Sequence, residues 1–175
     1  MVFARDCNAY QQIFMKQPGE KMPCSPTAPQ GGSFIKNTLS GKCIDVSGAP
    51  GTANGSQLLL WDCESSGLNR DNGSPTDQKW TLTGDGFIKN TLSGKCIDVS
   101  GAPGTANGSQ LLLWDCESSG LNRDNGSPTD QKWTLTGDGF IKNTLSGKWG
   151  ERNFGWDLLS VVSKNYQFSL LPPLL

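Results

Sequence analysis

The sequence has no histidine, which excludes several familiar kinds of active site. Histidine is the usual general base, a common zinc ligand and the partner of serine or cysteine in nucleophile pairs. Pairs of aspartate and glutamate can still move protons, so catalysis is disfavoured rather than excluded. We expect a protein that is not itself an enzyme.

Long apolar runs and an excess of charge of either sign are also missing. No apolar stretch approaches the roughly 18 residues that span a bilayer. Fifteen lysines and arginines face sixteen aspartates and glutamates, for a net charge of -1. We therefore expect neither a membrane span nor a nucleic-acid partner.

What the chain does have is an internal repeat. Phe34–Gly86 recurs without a change as Phe87–Gly139, and a third copy begins at Phe140 and ends at Lys148, before Trp149 replaces a cysteine. Glycine is abundant, at 22 residues, and favours turns and short strands. One unit holds four strand candidates, which are Phe34–Asn37, Lys42–Val46, Gln57–Cys63 and Lys79–Thr83. A propeller or a solenoid fits two and a half units poorly, and a threefold all-β trefoil fits them best.

The two ends of the chain differ from the repeat. We expect residues 1–33 to be a leader or linker with little structure, and residues 34–175 to form one domain. That domain has two identical lobes, 34–86 and 87–139, and an incomplete or degraded third, 140–175. In the third lobe Asp157–Ser163 is a strand candidate, and Phe168 takes the core position of Trp80 and Trp133. The alternative is that residues 149–175 are unrelated sequence.

Six cysteines in a small, loop-rich chain predict disulfides and an oxidising compartment, with reduced buried thiols as the alternative. Cys7 and Cys24 are candidates to bridge each other; the other four are Cys43, Cys63, Cys96 and Cys116. We expect an extracellular or secretory location, although no signal peptide with an apolar region of roughly 7–15 residues is visible.

A candidate site follows from strand geometry. Alternate residues of a strand share a face, so Cys43 and Asp45 point the same way. If Cys43 and Cys63 are bonded as directly opposed residues, Asp45 lies opposite Trp61. A carboxylate beside an indole suits a pyranose, whose C–H face stacks on the ring while its hydroxyls donate to the carboxylate. The alternative is a solvated aspartate and a core tryptophan.

The second copy places Asp98 opposite Trp114 in the same way. Gln78 immediately precedes the last strand candidate and shares a face with Trp80, which we expect in the core, so we expect Gln78 to brace the backbone or orient Asp45. Asp77 could supply a second polar contact. Their counterparts are Asp130 and Gln131.

Three segments in this order resemble the repeat of ricin-B-type (R-type) lectins with its Gln-x-Trp signature. They are Ser-Gly-Lys-Cys-Ile-Asp-Val, Asn-Gly-Ser-Gln-Leu-Leu-Leu-Trp-Asp-Cys and Asp-Gln-Lys-Trp-Thr-Leu, and the resemblance covers residues 34–148. It implies a β-trefoil with a shallow pocket for galactose, N-acetylgalactosamine or, in a known variation, xylan-type glycans. By position it implies sugar contacts from Asp45, Trp61, Asp77, Gln78, Asp98, Trp114, Asp130 and Gln131.

The sequence departs from that family pattern at three places. Glu64–Thr76 is longer than the usual connection, Leu59 replaces a polar glutamine, and the third copy lacks the cysteine, the aspartate and the aromatic residue. No cofactor is required, but two carboxylates in one pocket suit calcium, and some R-type lectins are calcium-dependent. The calcium candidates are Asp45, Asp77, Asp98 and Asp130, and an ordinary metal-free pocket is the favoured alternative.

Three functions compete on this sequence. The first is a free-standing lectin that binds glycans or glycoproteins through two pockets. The second is the glycan-targeting module of a larger glycosidase or pore-forming toxin. The third is a trefoil without sugar binding, acting as an inhibitor or a structural protein. In addition, Asn54-Gly55-Ser56 and Asn107-Gly108-Ser109 match the N-glycosylation pattern, although Asn-Gly is also a strong turn pair.

Overall fold

The structure is a computed structural model that describes residues 31–136, 139–148, 150–152, 159–161 and 168–171. These residues form twelve β-strands and contain no helix, so none of them crosses a membrane as a helix. The all-β prediction is confirmed. The predicted Cys7–Cys24 bridge lies outside the described residues. The strands are β1 (Ser33–Asn37), β2 (Cys43–Val46), β3 (Ser56–Trp61), β4 (Lys79–Leu82), β5 (Ile88–Asn90), β6 (Cys96–Val99), β7 (Leu111–Trp114), β8 (Trp133–Leu135), β9 (Ile141–Asn143), β10 (Gly150–Arg152), β11 (Leu159–Val161) and β12 (Phe168–Leu171).

The core is formed by alternate residues of these strands. Ile44 and Val46 of β2 and Leu58 and Leu60 of β3 are buried, as the period-two pattern requires. Trp80 is also buried, and its indole N–H donates a 3.1 Å hydrogen bond to the carbonyl oxygen of Ile44. The indole therefore fills the core without leaving its one polar group unpaired. The second lobe supplies matching core residues, namely Ile97, Val99, Leu111, Leu113 and Trp133.

One sheet joins the lobes and closes on itself. Its eight strands run in the order β12-β1-β2-β3-β7-β6-β5-β4, and β4 also pairs with β1. The contact between the first two lobes is the pairing of β3 with β7, where Ser56 lies opposite Leu113 and Gln57 opposite Leu112. The turn that precedes β3 in the first lobe is thereby brought against β7 of the second lobe.

The tail continues the threefold pattern in its backbone pairing. In β12 and β1, Phe168 lies opposite Asn37, as Trp80 lies opposite Asn90 and Trp133 lies opposite Asn143. Phe168 thus has the same register as those two tryptophans, while its core position stays a prediction. β11 falls inside the predicted strand Asp157–Ser163 and pairs with β10 as a third hairpin.

Candidate functional site

The β2–β3 hairpin carries the candidate site, and its register differs by two residues from the predicted one. Cys43 lies opposite Trp61 and Asp45 lies opposite Leu59, so the prediction that Asp45 directly opposes Trp61 is wrong. The error came from treating Cys43 and Cys63 as opposed residues. Cys63 lies beyond the end of β3, and the disulfide reaches back diagonally over a Cα–Cα distance of 5.1 Å.

The second hairpin has the same register, with Cys96 opposite Trp114 and Asp98 opposite Leu112. Its disulfide joins Cys96 to Cys116 over a Cα–Cα distance of 5.0 Å. Both predicted disulfides are therefore confirmed, although the strand pairing inferred from them is not.

Asp45 and Trp61 nevertheless line the same cleft, because residues at diagonal positions of an antiparallel pair share a face and lie within reach of long side chains. The cleft has a volume of about 140 Å³ and is open to solvent. Leu59 lies between them, and Glu64, Arg70 and Asp71 of the loop after β3 close the other side. We call this the first cleft, and the region of the corresponding residues in the second lobe the second cleft.

The two tryptophans of each lobe have opposite surroundings. Trp61 is 47% exposed and Trp114 is 38% exposed, whereas Trp80 is 1% exposed. An indole that is this accessible offers a flat apolar surface for a ligand to stack on.

Gln78 fixes the carboxylate of the first cleft. Its side-chain nitrogen donates to Oδ2 of Asp45 at 2.7 Å and to the carbonyl oxygen of Asp62 at 3.0 Å. Its side-chain oxygen accepts from the backbone N–H of Glu64 at 2.9 Å. Gln78 is fully buried, so it orients Asp45 and the start of the loop from behind. Gln131 makes the same three bonds, to Asp98, Asp115 and Glu117, at 2.8 to 3.1 Å.

Asp77 lies behind the cleft rather than in it. It is fully buried, and its Oδ2 accepts a 2.7 Å hydrogen bond from the backbone N–H of Gly51. Asp130 binds Gly104 at the same distance. These carboxylates hold the turn after β2 or β6, and a direct sugar contact from them stays a prediction that their burial disfavours.

Burial disfavours the ionised form of the carboxyl groups of the site. It raises the pKa of Asp45 to about 7; the hydrogen bond from Gln78 opposes the shift, and the neighbouring Asp77 and Glu64 add to it. Burial likewise raises the pKa of Asp77 to about 6, against the hydrogen bond from Gly51. In the second lobe the pKa of Asp98 is raised to about 7 and that of Asp130 is also raised, both mainly by burial.

Glu64 is a buried site residue that the sequence did not reveal, as it did not reveal Arg70 and Asp71. It is buried, its Oε1 accepts a 3.0 Å hydrogen bond from the backbone N–H of Arg70, and its Oε2 has no partner. It is the first residue of a loop without periodicity, so no pattern predicted its burial. The only hint in the sequence is its position, directly after Cys63 and three residues after Trp61.

Glu64 also completes a group that could hold a metal ion. One carboxylate oxygen from each of Asp45, Glu64 and Asp77 lies within 4.8 Å of the others. Oε2 of Glu64 and Oδ1 of Asp77 are buried without a hydrogen-bond partner, as are the corresponding atoms of Glu117 and Asp130. Buried carboxylate oxygens of this kind call for protons or a cation, and calcium prefers such an all-oxygen set.

Comparison with known proteins agrees with the fold and the repeat. A family model described as the ricin-type beta-trefoil lectin domain matches residues 32–149. Among solved structures, the mdaA-1 domain superposes with a TM-score of 0.63 at 20% identity, covering 92% of this chain and 98% of that one. An agglutinin from Abrus precatorius gives a TM-score of 0.58 at 25% identity, covering 79% of this chain and 47% of its own.

The C-terminal half of an earthworm R-type lectin, solved in complex with GalNAc, gives a TM-score of 0.50 at 18% identity, covering 79% of this chain and 95% of its own. With the family match, these likenesses confirm the predicted β-trefoil. The chain spans about half the length of the Abrus agglutinin chain that it matches.

Proposed function

We propose that this chain, which belongs to the family of ricin-type β-trefoil lectin domains, binds galactose-type sugars through the first and second clefts. The observation that carries the proposal is that the exposed indole of Trp61 and the oriented carboxylate of Asp45 line one open cleft. A domain of this family is a carbohydrate-binding module, and the solved earthworm relative holds GalNAc.

The chemistry of the first cleft matches a pyranose. The apolar C–H face of the sugar stacks on Trp61, while two adjacent hydroxyls donate to Asp45, which Gln78 holds in place. Arg70 and Asp71, at the loop edge of the cleft, offer a donor and an acceptor to the remaining hydroxyls. Because the cleft is open and shallow, each one binds a monosaccharide weakly, and the pair gains avidity on clustered glycans.

The test is binding of GalNAc and of galactose-terminated glycans on an array, compared with the Asp45→Ala/Asp98→Ala double variant. We expect binding that free GalNAc inhibits and that the double variant loses. Asp85→Ala is the control, because Asp85 lies outside both clefts and should leave binding unchanged. Undiminished binding by the double variant would falsify the site, and absence of binding by the unaltered chain would favour a trefoil without sugar binding.

Calcium is a second candidate for the first cleft, favoured by the unpartnered oxygens of Glu64 and Asp77. Asp45, Glu64 and Asp77 would hold the ion. The ion would neutralise their mutual repulsion and fix Asp45 in its ionised form. The test is the melting temperature in calcium, magnesium or EDTA at pH 8. Calcium should raise it and Glu64→Gln should abolish the rise, whereas equal melting in all three solutions would rule out the ion.

We also propose an oxidising, extracellular or secretory location. Its support is one disulfide in each of the two complete lobes, since such bonds persist where the surroundings do not reduce them. Alkylation of the protein taken from its source without reductant should leave Cys43, Cys63, Cys96 and Cys116 unlabelled. Labelling of all four would place the protein in a reducing compartment.

A further inference from the structure

The two clefts have the same sequence but not the same neighbours. Residues 34–86 and 87–139 are identical, so any difference between the clefts must come from what lies against them. The pairing of β3 with β7 brings the turn that precedes β3 against the end of β7, where Trp114 begins the wall of the second cleft. That turn contains Asn54 and Gly55, and it belongs to the first lobe.

Two residues of the turn hydrogen-bond to the residues on either side of Trp114. The side-chain nitrogen of Asn54 donates a 2.9 Å hydrogen bond to Oδ2 of Asp115, the residue after Trp114. The backbone N–H of Gly55 donates a 2.9 Å bond to the carbonyl oxygen of Leu113, and a Cβ atom at Gly55 would lie 3.4 Å from the ring of Trp114. The turn therefore holds both neighbours of the indole and lies against its edge.

Asp115 is anchored from three sides. Besides Asn54, it is bound by Lys95 and, at 3.4 Å, by Arg123. The hydrogen bond from Lys95 and then that from Asn54 hold the pKa of Asp115 down at about 2, so it stays ionised at every working pH. The segment that carries Trp114 is consequently fixed at the Asp115 side as well as through β7.

The first cleft is the internal reference for the effect of this turn. Asp62, the counterpart of Asp115 in the first lobe, is bound by Lys42 at 3.3 Å and by Arg70 at 3.5 Å, and neither ion pair involves the turn at Asn54.

We propose that the turn at Asn54 and Gly55 is a wall of the second cleft, and that it raises the affinity of that cleft for its sugar by holding Trp114 and the residues on either side of it. The proposal rests on the proposed function, because it concerns affinity for the same sugars. A side chain already held in its binding position loses less conformational freedom when the ligand arrives. For one such indole the difference amounts to roughly threefold to tenfold in the dissociation constant.

The experiment separates the clefts in the full chain. Asp45→Ala leaves the second cleft as the binding site, and Asp98→Ala leaves the first. GalNAc is titrated into each, followed by the indole N–H resonances, which are assigned with Trp61→Phe and Trp114→Phe. We expect Asn54→Ala to weaken GalNAc binding roughly threefold to tenfold in the Asp45→Ala protein and to leave binding by the Asp98→Ala protein unchanged.

Asn107→Ala is the matched control, because it makes the same substitution in the same local sequence, and the described hydrogen bonds to the carboxylates of Asp62 and Asp115 do not include Asn107. It should change the affinity of neither single-cleft protein. Ser56→Ala removes the glycosylation pattern while keeping Asn54, so it separates loss of the amide from loss of a glycan.

Equal responses of the two single-cleft proteins to Asn54→Ala overturn this proposal and leave the proposed function standing. Binding by neither single-cleft protein overturns both. If Asn54→Ala does not shift the indole N–H resonance of Trp114, the proposal is also overturned, whatever the measured affinities are.

Discussion

The side-chain amide of Gln78 donates a 2.7 Å hydrogen bond to the carboxylate of Asp45, 33 residues earlier in the chain. The bond joins the start of β4 to the middle of β2 behind the first cleft. Because the same amide group also binds the backbone at Asp62 and Glu64, one buried side chain positions both sides of the site.

Gln78→Ala should destabilise the protein by roughly 2 to 4 kcal/mol, because it leaves the buried N–H of Glu64 and a buried oxygen of Asp45 unpaired. Chemical denaturation measures the change. Gln131→Ala should cost a similar amount, while Gln57→Ala, which removes one partly buried bond to Gln110, should cost less than about 1 kcal/mol. Equal losses of stability for all three variants would mean that the buried hydrogen bonds of Gln78 and Gln131 stabilise the protein no more than the bond of Gln57.

Stability should fall as the pH rises from about 4 to above 7. Burial raises the pKa of Asp45 and Asp98 to about 7, above the ordinary value of 3.8, so the folded state keeps protons that the unfolded state releases. The stabilisation is complete when the pH is below the pKa of the unfolded chain. It disappears as the pH rises through the higher pKa of the folded protein. Melting temperatures at pH 4.5 and pH 8 test this, without added cations.

The matched control for that pH series is Asp45→Asn/Asp98→Asn, which cannot titrate at these positions and should flatten the profile. Sugar binding should run the other way in the unaltered protein, since ionised carboxylates are the stronger acceptors. A double variant that keeps the full pH dependence would assign it to other groups.

Gly51→Ala should destabilise the protein by about 1 to 3 kcal/mol. A Cβ atom there would lie 2.4 Å from the carbonyl oxygen of Val46, and the strand backbone cannot move aside without disturbing β2. The turn would then lose the bond between its N–H and Asp77. Gly84→Ala is the control, because a Cβ at Gly84 meets nothing within 4 Å, and its effect should stay within about 0.5 kcal/mol.

Each disulfide should contribute about 3 kcal/mol, because both close loops with a sequence separation of 20. The variants Cys43→Ala/Cys63→Ala and Cys96→Ala/Cys116→Ala should therefore lose similar stability in urea. A much larger loss in one lobe would show that the identical lobes differ in how far they depend on their crosslink.

Much of the fold could be predicted from the sequence, because it depends on local patterns. The alternation of Ile44 and Val46 with polar neighbours indicated β2, and the repeat predicted the same strands in the second lobe. The same alternation put Asp45 and Trp61 on one face. The register could not be predicted, because a disulfide also forms between diagonal positions when one cysteine lies past the end of its strand.

The loop side of the site could not be predicted for a different reason. Glu64, Arg70 and Asp71 reach the first cleft through turns and through the bond between Glu64 and the N–H of Arg70, and neither leaves a periodic pattern. The burial of Asp77 was equally hidden, because it depends on how closely the turn at Gly51 approaches it.

The pairing of β12 with β1 also affects the order in which the strands can pair during synthesis. Of the described strands, β12 is synthesised last and pairs with β1, which is synthesised first, so this edge of β1 stays unpaired until residues 168–171 are available. During that interval the Phe168–Leu171 segment of a neighbouring molecule offers the same partner. Crowded synthesis would therefore favour molecules that exchange their last strands, and dilution or slow release would favour closed monomers.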